Sequence, residues 1–245
     1  MPATADSSPT PTTAPSSGWS SALASVPAAG NRRAIAMPAH LKFFYGPMDC
    51  GKSTLALQIH HNHSRQGRRG LVLTRYDRSG GPLITTRVGL VHTAIEVTDD
   101  LDVRRLVRER WAAGQRVDYL IVDEAGFVNP EHVEQLAELV DEYHVDVYCF
   151  GLATDFRSQL LPGAKRLIEL ADEIAEIQVE VLCWCGRPGK QNARVVNGQV
   201  VREGDTVLVA DTAVDSEVRY QVLCRAHYRI GDLGNTRTED QLTLD

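Results

Sequence analysis

A turn near the start of the chain carries the residue types that bind the phosphates of a nucleotide. Residues 46–53 read Gly-Pro-Met-Asp-Cys-Gly-Lys-Ser, which matches the phosphate-loop pattern G-x-x-x-x-G-K-S. The backbone N–H groups of such a loop and the N-terminus of the following helix favour anionic oxygens. Lys52 would reach the terminal phosphates, and Ser53 would hold Mg²⁺. The candidate phosphate-binding residues are Gly46, Pro47, Met48, Asp49, Cys50, Gly51, Lys52, Ser53 and Thr54.

An acidic pair follows an apolar run further along the chain. Residues 117–122 are apolar enough for a buried strand, and Asp123 and Glu124 come directly after them. Downstream of a phosphate loop this is the Walker B pattern, in which the Asp holds Mg²⁺ and the adjacent Glu is available as a base. The alternative is a pair of solvated turn carboxylates, which the upstream loop makes the weaker interpretation. The candidate nucleotide-binding residues here are Asp123, Glu124, Ala125 and Gly126.

Cysteine and histidine form two close pairs near the C-terminus. Cys183 and Cys185 make a C-x-C knuckle, and Cys224 and His227 make a C-x-x-H knuckle. Four N/S ligands in two pairs are typical of a tetrahedral structural zinc site, which has no open position for catalysis. The alternative is three buried free cysteines and an incidental histidine. We favour zinc because both the number and the chemistry of the ligands fit.

The segment between the two knuckles predicts a zinc ribbon with a long loop. Residues 195–201 have Asn197-Gly198 at their centre, which is the signature of a hairpin with a type I′ turn. The loop from Thr206 to Arg219 follows the hairpin and leads to Tyr220. A loop held at its base by a metal can serve as a lid over a substrate.

Alternating strand and helix patterns must position these residues. The predicted strands are 41–45, 71–73, 94–97, 117–122, 145–152 and a half-exposed strand at 177–181. The predicted helices are 54–65, one after an N-cap at 98–100, one opened by Asn129-Pro130, and 167–171. This order indicates an α/β fold: a P-loop NTPase-type parallel sheet flanked by helices, with a small C-terminal zinc-ribbon and lid module.

A polar stretch from Arg75 to Gly89 is predicted to be a loop beside the nucleotide site. Its notable charges are Asp77, Arg78 and Arg87, for which a functional role and plain surface solvation are equally supported. Phe156 lies just beyond the strand at 145–152, on the side where open α/β sheets bind ligands. A core role for Phe156 is an equally good interpretation of its position.

Composition limits the classes of partner and compartment. The chain has 245 residues, 43% of them apolar, which suits one α/β domain with a smaller module. Its net charge of -6 disfavours general nucleic-acid binding, and no apolar run is long enough to span a membrane. The five cysteines do not form a secreted disulfide framework, so a reducing, cytoplasmic setting is expected.

We divide the chain into four segments. Residues 1–36 are rich in Pro, Ala, Ser and Thr without periodicity, which predicts a disordered tail. Residues 37–176 would form the P-loop α/β domain and residues 177–230 the zinc-ribbon and lid module. Residues 231–245 are polar and are expected to be a flexible tail.

Together these motifs resemble those of the type II thymidine kinases. The resemblance rests on G-P-M-D-C-G-K-S-T at 46–54, D-E-A-G-F at 123–127 and G-L-A-T-D-F at 151–156, with T-T-R-V-G-L at 85–90 and the two metal knuckles adding to it. It covers about residues 41 to 230. The combination of a D-E-A-x-F segment with a following zinc ribbon and lid makes it specific.

The resemblance implies an ATP-dependent transfer of the γ-phosphate to the 5′-hydroxyl of thymidine or deoxyuridine. Glu124 would accept the hydroxyl proton, while Lys52 and the loop amides would hold phosphates and Ser53 and Asp123 would organise Mg²⁺. The residues matching the nucleoside pocket are Met48, Phe127, Leu152, Phe156, Val209 and Tyr220. ATP and thymidine would be the substrates, Mg²⁺ and a structural Zn²⁺ the metals, and a homotetramer the assembly.

One departure from the family pattern concerns Gly126, which stands where the family usually has Gln. Two other function classes remain as alternatives. A P-loop ATPase without nucleoside specificity would hydrolyse ATP at the same rate with or without thymidine. An ATP-binding regulatory module would bind ATP but would keep its function after Glu124→Gln.

Overall fold

The computed structural model describes residues 38–75, 83–86, 89–206 and 218–234. Its strands are β1 (Leu41–Tyr45), β2 (Gly70–Thr74), β3 (Leu83–Thr85), β4 (Val91–Thr93), β5 (Ile95–Glu96), β6 (Tyr119–Asp123), β7 (Asp146–Gly151), β8 (Glu173–Glu176), β9 (Gln191–Val196), β10 (Gln199–Val201) and β11 (Val218–Leu223). Its helices are α1 (Lys52–Arg65), α2 (Val103–Ala112), α3 (Pro130–Tyr143), α4 (Pro162–Leu170) and α5 (Arg225–Ile230). A 3₁₀ turn spans Ala125–Phe127.

Six parallel strands form the main sheet in the order β5-β2-β6-β7-β1-β8. The central strand β6 is buried at every position, as expected of a strand that helices cover on both faces. Residues of α2, α3 and α4 pack in one core cluster on the sheet, and residues of α1 pack in a second. The predicted α/β fold with a central parallel sheet is confirmed.

Strands β9, β10 and β11 form a separate antiparallel sheet in the order β10-β9-β11. Asn197 and Gly198 connect β9 to β10, with φ angles of 50° and 76°. Both central residues of a type I′ turn require positive φ, so the predicted hairpin is confirmed. This small sheet positions Tyr220, which lies on β11 opposite Arg194 of β9.

Two local predictions of helix starts were wrong. The N-cap of α2 is Asp102, whose carboxylate accepts the backbone N–H of Arg105 at 3.0 Å, and not the segment 98–100. Within that segment Asp99 instead forms an ion pair with Arg75 at 2.5 Å. Helix α4 begins at Pro162, several residues before the predicted start, because proline is well suited to the first helical turn.

Two predictions about strands were also wrong. The strand predicted at 177–181 is absent: β8 is Glu173–Glu176, and its pairing with β1 continues only to the Ile177 N–H, which donates to the Tyr45 carbonyl at 2.9 Å. The apolar alternation at 177–181 therefore belongs to the connection that follows β8. The polar stretch at 75–89 is not all loop, since it contains β3, which pairs with β4.

Histidines of α1 pack against tyrosines of the main sheet. His63 is half-buried: its Nδ1 lies 3.0 Å from the Arg68 guanidinium and its Nε2 lies 3.1 Å from the Tyr148 hydroxyl. His60 contacts the Tyr119 hydroxyl through Nδ1 at 3.0 Å. Burial, and after it the charge of Arg68, lowers the pKa of His63, while burial lowers the pKa of His60.

This packing predicts a loss of stability in weak acid. Because the folded-state pKa of His63 lies below the unfolded value, the unfolded chain takes up the proton first. The stabilisation is therefore complete above about pH 6.5 and is lost as the pH falls below it. Urea unfolding between about pH 8 and pH 5.5 should show this slope, and His63→Gln should reduce it. The exposed neighbour His61 gives the control His61→Gln, and equal slopes in both variants would contradict the assignment.

Candidate active site

The phosphate loop connects β1 to α1 through two residues in the left-handed region. Asp49 has a φ of 67° and Gly51 a φ of 80°. Gly51 precedes the first residue of α1 and accepts the N–H of Leu55 at 3.0 Å, so the loop feeds directly into the helix. Gly46 is needed for space, because a Cβ there would lie 2.5 Å from Cys50 Sγ. The predicted strand–loop–helix arrangement is present, with the helix N-terminus facing the loop.

Lys52 lies folded over this loop. Its side chain is mostly buried, and its Nζ donates to the Pro47 carbonyl at 2.7 Å. A phosphate oxygen entering the loop would replace that carbonyl as the partner of the ammonium group. Cys50 is fully buried beneath Lys52, and burial raises the pKa of its thiol, so this thiol is not an activated nucleophile.

Ser53 and Asp123 meet at the carboxyl edge of the main sheet. The Ser53 hydroxyl donates to Asp123 Oδ2 at 2.7 Å, although the two residues come from α1 and β6. The other carboxylate oxygen of Asp123 accepts the N–H of Glu124 at 3.0 Å. Burial raises the pKa of Asp123, while the hydrogen bond from Ser53 opposes this. A hydroxyl and a carboxylate side by side are the hard oxygen donors that Mg²⁺ binds, so these residues fit that ion.

Glu124 is turned out of the strand direction. Its φ of 51° and ψ of 33° are left-handed, an unusual conformation for a non-glycine residue, and its side chain is half-buried. Such a conformation costs on the order of 1–3 kcal/mol and persists only where the surroundings impose it. Glu124 is the residue immediately before the 3₁₀ turn, where the chain leaves β6.

Three glycines allow that turn to pack backbone against backbone. A Cβ on Gly126 would lie 2.3 Å from the Leu152 carbonyl oxygen, and one on Gly163 would lie 2.5 Å from the Ala125 carbonyl oxygen. A Cβ on Gly151 would lie 2.7 Å from the backbone N of Gly126. The turn is thus held between the end of β7 and the start of α4. The close approach of the Leu152 carbonyl therefore explains why this chain has glycine at position 126, where it departs from the family pattern.

The candidate nucleoside residues lie in two groups within the described structure. Met48 and Phe127 are half-buried and pack against the core cluster that contains Leu152. Phe156 and Tyr220 are brought together by Arg194, whose guanidinium lies 3.7 Å from the Phe156 ring centroid and whose Nε donates to the Tyr220 hydroxyl at 3.0 Å. The candidates Val209, Asp77, Arg78 and Arg87 and most of the predicted lid lie outside the described residues.

Two buried polar residues of β9 were not predicted from the sequence. Asn192 accepts the N–H of Met48 through Oδ1 at 2.8 Å and so joins the small sheet to the phosphate loop. Arg194 is 2% exposed. Asn192 and Arg194 lie on the same face of β9, and they alternate along the strand with the buried apolar residues Ala193 and Val195. This alternation was the pattern from which they could have been predicted.

The cysteine and histidine knuckles converge as a candidate metal centre. The Cys183, Cys185, Cys224 and His227 ligand atoms all lie within 4.8 Å of one another. Cys224 Sγ is 4.0 Å from Cys185 Sγ and 3.6 Å from His227 Nδ1. Bond lengths of 2.0–2.3 Å around zinc give tetrahedral edges of roughly 3.3–3.8 Å. The cluster is therefore consistent with the predicted structural zinc site.

Trp184 offers a spectroscopic test of this centre. Its ring stacks on His227 with centroids 4.2 Å apart, and its Nε1 donates to the Asp232 carbonyl at 3.1 Å. Because metal ligation is coupled to folding in such sites, chelation should free the indole, shift its fluorescence to longer wavelength and lower the unfolding temperature. Elemental analysis should find one zinc per chain.

The control for the zinc prediction is Trp184→Phe, which should bind zinc with the same stoichiometry but lose the fluorescence response. Absence of bound metal, or an emission spectrum and an unfolding temperature that chelation leaves unchanged, would contradict the zinc assignment.

A helix long and apolar enough to cross a bilayer does not occur among the residues described.

The family model that matches this chain and its relatives of known sequence agree with one another. The family model described as "Thymidine kinase" matches residues 39–228. A protein named thymidine kinase from Cutibacterium acnes is 51% identical over 211 residues, which cover 84% of this chain and 98% of that protein. One from Streptomyces coelicolor is 53% identical over 77% of this chain and 88% of its own length. One from Legionella pneumophila is 35% identical over 83% of this chain and 96% of its own length.

Proposed function

The chain belongs to the thymidine kinase family, and we propose on that basis that it transfers the γ-phosphoryl group of ATP to the 5′-hydroxyl of thymidine, giving dTMP and ADP. We extend the proposal to deoxyuridine as a second acceptor. The proposed site has a donor half, which would bind ATP, and an acceptor half, which would bind the nucleoside.

The donor half is the phosphate loop with Lys52, Ser53 and Asp123. Lys52 would exchange the Pro47 carbonyl for a terminal phosphate oxygen, and the amides at the start of α1 would donate to the others. Ser53 and Asp123 would hold Mg²⁺, which supplies charge neutralisation for the β- and γ-phosphates. The amide of Met48, within the same loop, donates to Asn192 Oδ1 at 2.8 Å.

The acceptor half is Glu124 with the aromatic and apolar candidates around it. The 5′-oxygen of the nucleoside attacks the γ-phosphorus, the bond to the β,γ-bridging oxygen breaks, and ADP leaves with that electron pair. The hydroxyl proton passes to the Glu124 carboxylate. Met48, Phe127, Leu152, Phe156 and Tyr220 would bind the nucleoside.

The observation that best supports this proposal is the meeting of Ser53 with Asp123, directly beside the left-handed Glu124. A phosphate loop alone would suit an ATPase equally well. A carboxylate base beside the metal-binding pair can accept a proton from water or from a nucleoside, and membership of this family favours the nucleoside.

A substrate panel tests the proposal. Purified chain with ATP and Mg²⁺ is incubated with thymidine, deoxyuridine, deoxycytidine or no nucleoside, and both ADP and the nucleoside monophosphate are measured. We expect ADP formation to depend on thymidine, with one dTMP for each ADP. ADP release at the same rate without nucleoside would support the ATPase alternative, and ATP binding without turnover would support the regulatory module.

Three further features belong to the proposal. A homotetramer is expected from the family resemblance and can be tested by light scattering. The zinc centre would be structural, since all four positions are taken by protein ligands. A cytoplasmic setting is supported by the cysteines of the described residues, none of which forms a disulfide.

A further inference from the structure

Arg194 is the largest fully buried side chain of the described structure. It lies on β9 of the small sheet, where a hydrophobic residue would be the usual occupant. Its guanidinium donates to the carbonyls of Asp205 and Thr206 at 2.7 and 3.0 Å. No ion pair involves Arg194 among the residues described, and its guanidinium contacts two carbonyls, the Tyr220 hydroxyl and the rings of Phe156 and Tyr220.

The same guanidinium contacts two residues of the candidate nucleoside pocket. One is Phe156, whose ring centroid lies 3.7 Å from the guanidinium carbon. The other is Tyr220, whose hydroxyl accepts from Nε at 3.0 Å. Phe156 follows β7 of the main sheet and Tyr220 lies on β11 of the small sheet, so a single side chain connects candidate residues of two separate sheets.

A second arginine reinforces one side of this contact. Arg157 forms an ion pair with the buried Asp155 at 2.7 Å and donates to the Thr206 hydroxyl at 3.0 Å. Thr206 is thus held by Arg157 through its hydroxyl and by Arg194 through its carbonyl. The segment carrying Phe156 and the chain at Thr206 are thereby joined.

We propose that Arg194 is a positioning residue for nucleoside binding, which fixes the Phe156 ring and the Tyr220 hydroxyl relative to each other. The inference rests on the proposed function and deepens it by assigning a role outside the phosphate site. Arg194 acts through Phe156 and Tyr220 and is not a catalytic residue.

The physical reason for an arginine at this place is its planar, multidentate cation. The flat guanidinium lies over an aromatic ring while its edge donates hydrogen bonds in fixed directions. A lysine could supply the charge but not both the planar contact and the separate donors. A methionine would fill the space but would leave two carbonyls and one hydroxyl without their donor.

The test measures substrate constants separately for each substrate. Arg194→Met should raise the KM for thymidine by about tenfold or more while the KM for ATP stays within about twofold, because only acceptor residues are displaced. Arg194→Lys should recover only part of the thymidine affinity. Tyr220→Phe removes the hydroxyl that Arg194 contacts. The effects of Tyr220→Phe and Arg194→Met on kcat/KM for thymidine should therefore not be additive.

The matched control is Arg166→Met on α4, since the Arg166 guanidinium forms ion pairs with Glu134 and Glu169. It should leave both KM values near those of the unaltered chain. Equal changes in the thymidine and ATP constants, or a thymidine KM in Arg194→Met equal to that of the control, would overturn the inference.

If Arg194→Met fails to fold, the variants Arg194→Lys and Tyr220→Phe test the positioning role of Arg194 instead. Additive effects of these two variants on kcat/KM for thymidine would overturn the inference, and non-additive effects would support it. A wild-type chain that does not phosphorylate thymidine would instead reject the proposed function, so the two failures are distinguishable.

Discussion

Glu124→Gln is expected to lower kcat for thymidine phosphorylation by about 10²- to 10⁴-fold, the usual contribution of a positioned general base. The variant keeps the size and the hydrogen-bonding edge of the side chain but cannot accept the 5′-hydroxyl proton. The donor half is untouched, because Lys52 and Ser53 make their contacts with Pro47 and Asp123. The KM for ATP should therefore remain close to that of the unaltered chain. Steady-state formation of dTMP, followed by chromatography, measures both constants.

Glu131→Gln is the matched control for that variant. Glu131 lies exposed in the first turn of α3, on the same stretch of chain, and should tolerate the same change without effect. A Glu124→Gln protein that retains kcat within about threefold would show that Glu124 is not the base. A tenfold rise in the KM for ATP with unchanged kcat would place Glu124 in nucleotide binding instead.

Gly126→Gln is expected to destabilise the chain by about 1–3 kcal/mol and to impair transfer as well. The added Cβ would lie 2.3 Å from the Leu152 carbonyl oxygen and 2.9 Å from Leu161 Cδ1, and backbone atoms cannot move aside as a flexible side chain can. The 3₁₀ turn must then shift, and Glu124 precedes that turn directly. A displacement of about 1 Å at a reacting group can cost on the order of 10²-fold in rate.

Gly126→Ala separates the two explanations for such a loss. Since the clash begins at Cβ, Ala should cause most of the loss in unfolding temperature and in kcat that Gln causes. An Ala variant that behaves like the unaltered chain would contradict the steric account and would leave the longer Gln side chain as the cause. Thermal unfolding and kcat are measured on the same preparations.

The residues that local patterns determine could be predicted from the sequence. The phosphate loop, the acidic end of β6, the hairpin at Asn197-Gly198 and the two metal knuckles are each encoded within a few neighbouring positions. Ser53 and Asp123 were each predicted to hold Mg²⁺, and the structure places them in contact. The roles assigned to the individual site residues remain predictions.

What could not be predicted depends on long-range packing. Asn192 meets Met48 across a separation of 144 positions, and no local pattern in β9 encodes that contact. The steric role of Gly126 depends on the Leu152 carbonyl, which only the folded chain brings there. The N-cap of α2 was predicted at the wrong position because several acidic residues precede the helix. In the folded chain Asp99 pairs with Arg75, and Asp102 caps the helix.

The hydrogen bond between Met48 and Asn192 has a consequence for recombining this enzyme with its relatives. A chimera joined near residue 176 would take the phosphate loop from one parent and the small sheet from the other. The residue facing the Met48 amide would then come from a different protein, and one without a side-chain acceptor would leave that amide unbonded. Because the donor at position 48 is a backbone amide, a crossover should keep a side-chain acceptor at position 192 whichever parent supplies the phosphate loop.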